Sequence, residues 1–215
     1  MSDSALDRAE LVVRVIAQTA VHNETYFCEL DAVVGDGDFG YSLARGFEVV
    51  LSDWDAMEYS DVSGLLKKTA IVLSKRIGGT SGPIWGTAFL RAGAALTSVP
   101  DPSGEDVIAA LRASIDGIKQ RGKTDVGHKT LLDALVPAVD VLEAALPQGS
   151  GVAIEHAAAK ARESAEATKG MLAQRGRAAY TGDRSRDSVD AGALGVAVIF
   201  EAVSKAWQEA GLELA

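Results

Sequence analysis

The sequence predicts an all-α fold, for three reasons. Apolar residues recur at the three- and four-residue spacing of amphipathic helices through most of the 215 residues. No segment shows the apolar–polar alternation of a strand, and no hairpin turn is flanked by such alternation. Glycine, proline and small polar residues concentrate in short breaks between the periodic segments. We therefore predict about eight antiparallel amphipathic helices in one domain, residues 1–215.

The predicted helices follow one another along the chain. In the first, Val12, Ile16 and Ala20 share one face with other apolar residues. Two segments look helical but are less amphipathic, and an alanine-rich stripe near the end favours close contact between helices. The predicted helices span residues 5–20, 39–52, 62–77, 83–97, 107–118, 132–142, 154–172 and 196–206.

The breaks between helices fall into two kinds. Residues 98–104 and 147–151 are typical of plain turns. The breaks at 35–40, 78–82, 122–127 and 176–192 mix glycine with aspartate, threonine, serine, lysine or arginine. Loops of the second kind are where binding and catalytic residues commonly lie. Any binding or catalytic residues are therefore expected in these four loops.

Net charge and cysteine content exclude some classes of function for this protein. The formal net charge of −9 disfavours nucleic-acid binding, which needs a basic face. An anionic ligand is still allowed, because metal ions and helix N-termini reverse the field locally. The single cysteine, Cys28, excludes an internal disulfide framework and suits a reducing compartment. With no signal peptide and no apolar run near the ~20 residues of a membrane helix, we expect a cytoplasmic protein without membrane partners.

The stretch DAVVGDGDFG, residues 31–40, predicts a metal site. Asp31, Asp36 and Asp38 crowd negative charge onto a short glycine-rich segment. Mg²⁺ prefers hard oxygen ligands and is usually held by a few carboxylates, phosphate oxygens and waters. An EF-hand is excluded, because Gly40 and Phe47 stand where ligands are required. The alternative is that Asp38 caps a helix and the other carboxylates are simply solvated.

The stretch GGTSGPIWG, residues 78–86, is a second candidate. Gly79, Thr80, Ser81 and Gly82 precede or begin a predicted helix, where backbone N–H groups and hydroxyls can hold a phosphate. An ordinary turn with a serine or threonine cap explains the same residues, and the segment alone does not decide between the two.

The stretch GIKQRGKT, residues 117–124, matches the P-loop pattern. The mechanism of that motif needs a strand before it and a helix directly after it. Here the preceding residues have helical periodicity and Gly127 interrupts the segment that follows. We therefore interpret the match as a coincidence.

Two later stretches could face a ligand. Lys129 and Thr130 stand at the start of a helix in GHKTLLDALVPA, with Asp133 in its first turn, where an acid suits the helix dipole. In the loop 176–192, Asp190 is placed to cap the last helix, and Arg184 could neutralise a transferring phosphoryl group. For each arginine of that loop, the alternative is an ordinary polar surface.

Taken together, these motifs resemble a known family. The order Asp-x₄-Asp-Gly-Asp, Gly-Thr-Ser-Gly-Pro, Lys-Thr-x-x-Asp-x-Leu-x-Pro-Ala, Gly-Arg-Ala-x-Tyr-x-Gly-x-Arg-Ser and Asp-x-Gly is similar to the nucleotide-binding L subunit of dihydroxyacetone kinase. The resemblance covers about residues 5 to 210. It implies a barrel of eight antiparallel helices, with ADP or ATP bound in the loops at one end.

The resemblance also implies a role for each candidate residue. Two Mg²⁺ ions would be held by Asp31, Asp36 and Asp38, and Arg184 would face the transferred group. The phosphates would meet Gly79, Thr80, Ser81 and Gly82. The rest of the nucleotide would lie among Thr130, Leu131, Gly176 and Asp190.

The same resemblance implies partners. The ketose, dihydroxyacetone or a related tetrulose, would sit on a separate K subunit, and the phosphoryl group would come from ATP or from a phosphotransferase-system protein. A homodimer is compatible with the sequence. The family usually has His where this chain has Phe39 and Asn where it has Ser42; His128, Ala179 and Ala191 also depart from its pattern. Two alternatives are a non-catalytic, ADP–Mg-loaded regulator docking on a transcription factor and a purely structural bundle.

Overall fold

Helices make up most of the chain in the computed structural model, which describes residues 4–214. Residues 1–3 and 215 of the predicted domain lie outside that range. Within it no strand forms, as the sequence predicts. The α-helices are α1 Ala5–His22, α2 Glu24–Ala32, α3 Phe39–Ser52, α4 Val62–Arg76, α5 Ser81–Ala95, α6 Gly104–Gly122, α7 Leu132–Ala145, α8 Ser150–Ala167 and α9 Ala191–Ala210. Short 3₁₀ segments cover Trp54–Ala56, Leu146–Gln148 and Arg177–Asp187.

Local capping fixes where several helices begin. Ser4 and Ser103 each form a reciprocal capping box with an aspartate three residues later, at the starts of α1 and α6. The side chain of Asp61 caps α4 in the simpler way, by accepting a hydrogen bond from the backbone N–H of Gly64. These caps satisfy backbone donors that a helix terminus otherwise leaves without a partner.

Eight of the helices form a closed ring. Each helix from α3 to α9 packs on the next one, and α1 packs on both α3 and α9. Short connections make neighbouring helices antiparallel. The ring encloses an apolar cavity of about 320 Å³, lined by residues of α1 and of α4 to α9. The predicted barrel of about eight helices is therefore confirmed, and α2 is an additional short helix at one end.

The core divides into two main parts. Phe27, Leu43, Phe47 and Leu73 are fully buried and join α2, α3 and α4. On the other side, α7, α8 and α9 meet through small residues, among them Ala138, Ala161, Ala165, Ala193 and Ala197. The alanine-rich stripe of α8 thus allows close helix contact, as predicted. No helix of the described residues combines the length and the apolar character needed to cross a membrane.

Most predicted helix ends differ from the structure by up to five residues, and two differences matter more. The stripe predicted for residues 154–172 ends earlier, because α8 stops at Ala167 and Leu172 lies beyond it, exposed. Residues 24–32, which the periodicity did not assign, form α2, separated from α1 only by Asn23. Helix α2 helps to position the candidate site, because Asp31 lies in its last turn.

Candidate functional site

Four loops meet at the end of the barrel where α3, α5, α7 and α9 begin. We name them the aspartate loop (residues 31–38), the threonine loop (77–80), the lysine loop (123–131) and the arginine loop (168–190). In an antiparallel ring, alternate helices start at the same end, so four helix N-termini gather here. Helix N-termini attract anions through their free N–H groups and their dipoles.

Contacts between neighbouring loops show that they form one surface. Gly78 of the threonine loop lies near Ser42 in the first turn of α3. Gly122, next to the lysine loop, lies against Ile84 of α5. The backbone N–H of Gln174 in the arginine loop donates to the carbonyl of His128 at 3.1 Å. The guanidinium of Arg177, also in the arginine loop, donates a hydrogen bond to the carboxylate of Asp36, so the arginine loop also contacts the aspartate loop.

The aspartate loop brings its three carboxylates together. Asp31, Asp36 and Asp38 each present a carboxylate oxygen, and these oxygens lie within 4.8 Å of one another. The turn between α2 and α3 is tight, because Gly37 has a φ of +74° that a side chain would disfavour. At Gly35 a Cβ would collide with the Asp31 carboxylate. Glycine at these positions therefore allows the tight turn in which the three carboxylates converge.

Asp38 stands at the N-cap position of α3, but its side chain makes no capping hydrogen bond. The alternative interpretation of Asp38 as a simple cap therefore does not describe its carboxylate. That carboxylate instead lies with Asp31 and Asp36 and is 3.6 Å from the guanidinium of Arg177. The cap position places it beside the N-terminus of α3 while leaving its oxygens available.

The chemistry of this cluster fits Mg²⁺. The donors are hard carboxylate oxygens, which Mg²⁺ prefers, and a few of them per ion leave room for phosphate oxygens and water. A cation already bridges two of the carboxylates, since Arg177 contacts both Asp36 and Asp38. The sequence leaves an ordinary polar surface as the alternative for Arg177 and predicts no contact between it and the aspartates. The sequence signal for Arg177 is its place in the Gly-Arg-Ala motif of residues 176–178.

The threonine loop presents unpaired groups at the start of α5. Gly79 has a φ of +61°, and Thr80 is the N-cap residue but makes no side-chain capping bond. Ser81 and Gly82 form the first turn of α5. A Cβ at Gly82 would collide with the carbonyl of Ile77, so only glycine allows this close approach. These features suit phosphate binding, which stays a prediction for this loop.

In the lysine loop, Asp133 organises the start of α7. Its carboxylate accepts hydrogen bonds from the backbone N–H groups of Gly127 at 2.5 Å and Thr130 at 2.7 Å. This agrees with the predicted first-turn acid. Thr130 and Leu131 are half-buried, and Leu131 also lines the barrel cavity.

The expectation that Lys129 could meet a ligand was wrong. Its side chain is only 2% exposed and turns inward under the arginine loop. Its ammonium group donates hydrogen bonds to the carbonyl oxygens of Met171, Ser185 and Ser188. All three of its donors are therefore used by the protein backbone, and burial lowers its pKa.

The arginine loop is a kinked 3₁₀ segment rather than an open coil. Gly176 and Gly182 have φ values of +67° and +58°, and the direction of the chain changes at each. Arg184 is exposed and, among residues 4–214, makes no hydrogen bond or ion pair. Arg186, by contrast, bonds the Gly170 carbonyl at 2.7 Å. The structure thus leaves the Arg184 guanidinium available, although no contact joins it to the three aspartates.

Asp190 caps α9, as predicted, by accepting a hydrogen bond from the Ala193 N–H at 2.7 Å. Burial raises its pKa from 3.8 to about 7, and the nearby carboxylates of Asp133 and Asp31 add to this rise. The Ala193 hydrogen bond and the Lys129 ammonium act in the opposite direction. The electrostatic link to Asp31 places Asp190 close to the aspartate loop.

The P-loop match does not form a P-loop. Residues 117–122 are the last turns of α6, and Lys123 is its left-handed C-cap with a φ of +47°. Carbonyl groups, not N–H groups, project from a helix C-terminus and repel phosphate. The interpretation of this match as a coincidence therefore agrees with the structure.

Phe39, one of the departures from the family pattern, turns away from the loops. Its ring packs 5.9 Å from the ring of Phe27 and lies against Gly195 of α9. It therefore fills apolar space between α2, α3 and α9 rather than facing a phosphate. Ser42, the second departure, lies one turn further along α3 and adjoins Gly78.

Comparison with known proteins gives the family. Residues 33–205 match the DAK2 domain. The chain is 36% identical to the PEP-dependent dihydroxyacetone kinase, ADP-binding subunit DhaL, of Escherichia coli, covering 86% of this chain and 89% of that protein. It is 34% identical to the L-erythrulose 1-kinase of Mycolicibacterium smegmatis, covering 90% of this chain but 34% of that longer protein.

Comparison with solved structures gives the same family. The native dihydroxyacetone kinase of C. freundii superimposes with a TM-score of 0.74 at 27% identity, over 92% of this chain and 34% of that one. The same kinase in complex with AMP-PNP and Mg²⁺ gives a TM-score of 0.71 at 26% identity, over 90% of this chain and 33% of that one. The chain therefore belongs to the DAK2-domain family, that of the nucleotide-binding L subunits of dihydroxyacetone kinases.

Proposed function

We propose that this chain is the ADP- or ATP-binding, Mg²⁺-dependent subunit of a dihydroxyacetone-type kinase, a phosphotransferase. The observation that carries the proposal is the convergence of three carboxylates within 4.8 Å at the end of the barrel where four helices begin. Carboxylates that hold Mg²⁺ beside N-termini that attract phosphate form the electrostatic arrangement that phosphoryl transfer needs. The names of the relatives support the same activity.

Each loop then has a role. Asp31, Asp36 and Asp38 hold the metal, as two ions. The chemistry that Mg²⁺ would supply there is neutralisation of phosphate charge. Gly79, Thr80, Ser81 and Gly82 offer N–H groups and hydroxyls to the phosphate oxygens. The remainder of the nucleotide lies among Thr130, Leu131, Gly176 and Asp190.

Arg184 is the proposed catalytic residue. It is exposed on the arginine loop, and its guanidinium has no partner among the described residues. A guanidinium can stabilise the charge on a transferring phosphoryl group, an effect worth roughly 10³- to 10⁵-fold in rate where it has been measured. The retained triad together with this available arginine favours chemistry over the regulatory alternative.

The acceptor is proposed to be dihydroxyacetone or a related small ketose such as a tetrulose, held on a separate K subunit. Relatives include both dihydroxyacetone kinase subunits and L-erythrulose kinases. The phosphoryl donor is ATP or a phosphotransferase-system protein; one relative is named as PTS-dependent. These partners suit a cytoplasmic protein, and a homodimer is compatible with the proposal.

The first test is a thermal melt with and without ADP and Mg²⁺. A ligand at about 100 times its Kd stabilises the native state by about 2.7 kcal/mol. For a protein of this size, that corresponds to a rise in Tm of roughly 5–10 °C. We expect this rise only when Mg²⁺ and ADP are both present, and we expect Asp36→Ala to abolish it.

Asp116→Ala is the matched control, because Asp116 is an exposed aspartate on α6, outside the four loops. It should keep the full shift. If the wild-type protein, freed of copurified nucleotide, shows no shift, the nucleotide-binding proposal fails. If the shift is normal but no dihydroxyacetone or L-erythrulose is phosphorylated with a matched K subunit, the kinase proposal fails and the docking alternative replaces it.

A further inference from the structure

Lys129 is a buried cation that touches no exposed surface of the site. Its side chain is 2% exposed, and its backbone has a φ of +59°, which costs free energy for a residue with a side chain. Charged lysine is almost never fully buried unless its ammonium is satisfied. Here the ammonium is satisfied entirely by backbone carbonyl groups of the arginine loop.

The three carbonyls belong to separate points of that loop. The Lys129 Nζ atom lies 3.3 Å from the Met171 oxygen and 2.6 Å from the Ser188 oxygen, and it also bonds the Ser185 oxygen. Ser185 directly follows Arg184 along the chain. The ammonium thus ties the start of the arginine loop to the two residues that bracket its last turn.

Other contacts hold the same turn from its sides. The Ser185 hydroxyl, fully buried, accepts a hydrogen bond from the Ala173 N–H at 3.0 Å. The Thr168 hydroxyl accepts one from the Asp190 N–H at 2.8 Å. Arg186 and Gly170 add a reciprocal pair, in which the Gly170 N–H donates to the Arg186 carbonyl at 3.0 Å and the Arg186 guanidinium donates to the Gly170 carbonyl at 2.7 Å. The segment itself is short 3₁₀ structure broken at Gly182, which without such contacts is weakly held. The Lys129 ammonium is the point where its carbonyls converge.

We propose that Lys129 is a positioning residue that fixes the backbone under Arg184 for phosphoryl transfer, without itself touching nucleotide or ketose. This inference rests on the proposed function, in which Arg184 faces the transferred group. Catalytic groups must be held to a fraction of an ångström, and a displacement of about 1 Å can cost roughly 100-fold in rate. Because the proposed metal and phosphate contacts lie on the aspartate and threonine loops, which Lys129 does not contact, binding of the Mg²⁺–phosphate part of the nucleotide should depend little on Lys129.

The test is a double-mutant cycle in the full chain, assayed with MgATP, dihydroxyacetone and a matched K subunit. Lys129→Met keeps the length of the side chain but removes its donors. We expect kcat to fall roughly 10- to 100-fold, with the Kd for MgATP within about threefold of wild type. In the Arg184→Ala background, the same change should cost almost nothing, because its effect passes through Arg184.

Lys169→Met is the matched control, since Lys169 is an exposed lysine of the same loop. It should leave kcat unchanged. Ser185→Ala provides a second route if Lys129→Met does not fold: it loosens the same turn and should lower kcat only while Arg184 is present. Equal, additive losses in both backgrounds would overturn the proposal, because a general structural role predicts additivity.

Hydrogen exchange separates this inference from the proposed function. In Lys129→Met, or in Ser185→Ala if the first variant does not fold, amides of residues 182–190 should exchange faster, while those of residues 31–38 keep their wild-type rates. This readout needs no kinase activity. Unchanged exchange at 182–190 overturns the positioning role, even if the chain proves to be an active kinase; faster exchange supports it, even if the acceptor is a different molecule.

Discussion

At the scale of single residues, Asp190 has two roles that conflict near neutral pH: its carboxylate caps a helix, and it is buried where a negative charge is unfavourable. Its carboxylate caps α9, yet burial beside Asp133 and Asp31 raises its pKa from 3.8 to about 7. A carboxyl whose pKa is raised by folding binds more protons in the native state than in the unfolded state between those two values. The contribution of Asp190 to the free energy of unfolding must therefore decrease as the pH rises from about 4 to about 7. Above pH 7 this loss of stability is constant.

Asp190→Asn should remove this penalty while keeping an oxygen for the Ala193 N–H. Asparagine is as good an N-cap as aspartate, so the helix start is preserved. We expect the variant to be more stable than wild type at pH 8, by about 1–2 kcal/mol after allowance for partial solvent access, and nearly equal at pH 4. Urea unfolding at both pH values in EDTA-containing buffer measures the difference.

Asp61→Asn is the control for that experiment. Asp61 caps α4 through the Gly64 N–H at 2.6 Å but stands at an exposed position. The same chemical change there should give no gain at pH 8. If both variants gain equally, the effect comes from net charge rather than from the burial of Asp190.

The sequence reveals some site residues and hides others for a physical reason. The three aspartates lie within eight residues of one another, and Asp190 stands at a helix boundary, so local patterns are enough to find them. Arg177 reaches Asp36 across 141 residues, and Lys129 reaches Ser185 across 56. Only the closure of the ring creates such contacts, and no local pattern encodes them.

At the scale of elements, the same distinction explains which helices were predicted. Long amphipathic helices such as α6 and α9 carry several turns of periodic signal. The nine residues of α2 carry too few turns, and α1 runs almost directly into it. The helix predicted for α8 extends too far for a different reason. The apolar spacing continues through Thr168 and Leu172, but the Thr168 hydroxyl bonds the Ala165 carbonyl and Gly170 turns left-handed, so the helix ends.

The end of α6 carries a prediction about the P-loop match. Lys123 lies at a helix C-terminus, where the dipole and free carbonyls disfavour phosphate. We expect Lys123→Ala to bind MgADP with a Kd within about twofold of wild type, measured by calorimetry. In the same assay Asp36→Ala should lose binding. A many-fold loss of affinity in Lys123→Ala would show that the motif match is functional after all.

At the scale of the whole molecule, the two ends of the barrel differ: one carries the candidate site, and contacts at the other stabilise the ring. One end carries the four loops, and the other carries the connections that precede α4, α6 and α8 together with residues 211–214. At that second end, Arg8 of α1 pairs with Asp101 at 3.1 Å, and Glu213 bonds both the N–H and the hydroxyl of Ser150 at the start of α8. The indole of Trp207 also donates to the Ser150 hydroxyl at 3.2 Å. These contacts tie the first and last segments into the ring.

This division predicts that the ring can be weakened without harm to nucleotide binding. Glu213→Ala removes an acceptor at the N-terminus of α8, an exposed contact worth roughly 0.5–1 kcal/mol, so Tm should fall by about 1–4 °C at pH 7. Hydrogen bonds from Ser150 lower the pKa of Glu213 below 4.5, so the difference should vanish as falling pH protonates the carboxylate. Glu209→Ala, at an exposed position nearby, should not lower Tm. The Kd for MgADP should match wild type in both variants; weaker binding in Glu213→Ala would mean that the far end of the barrel is coupled to the site.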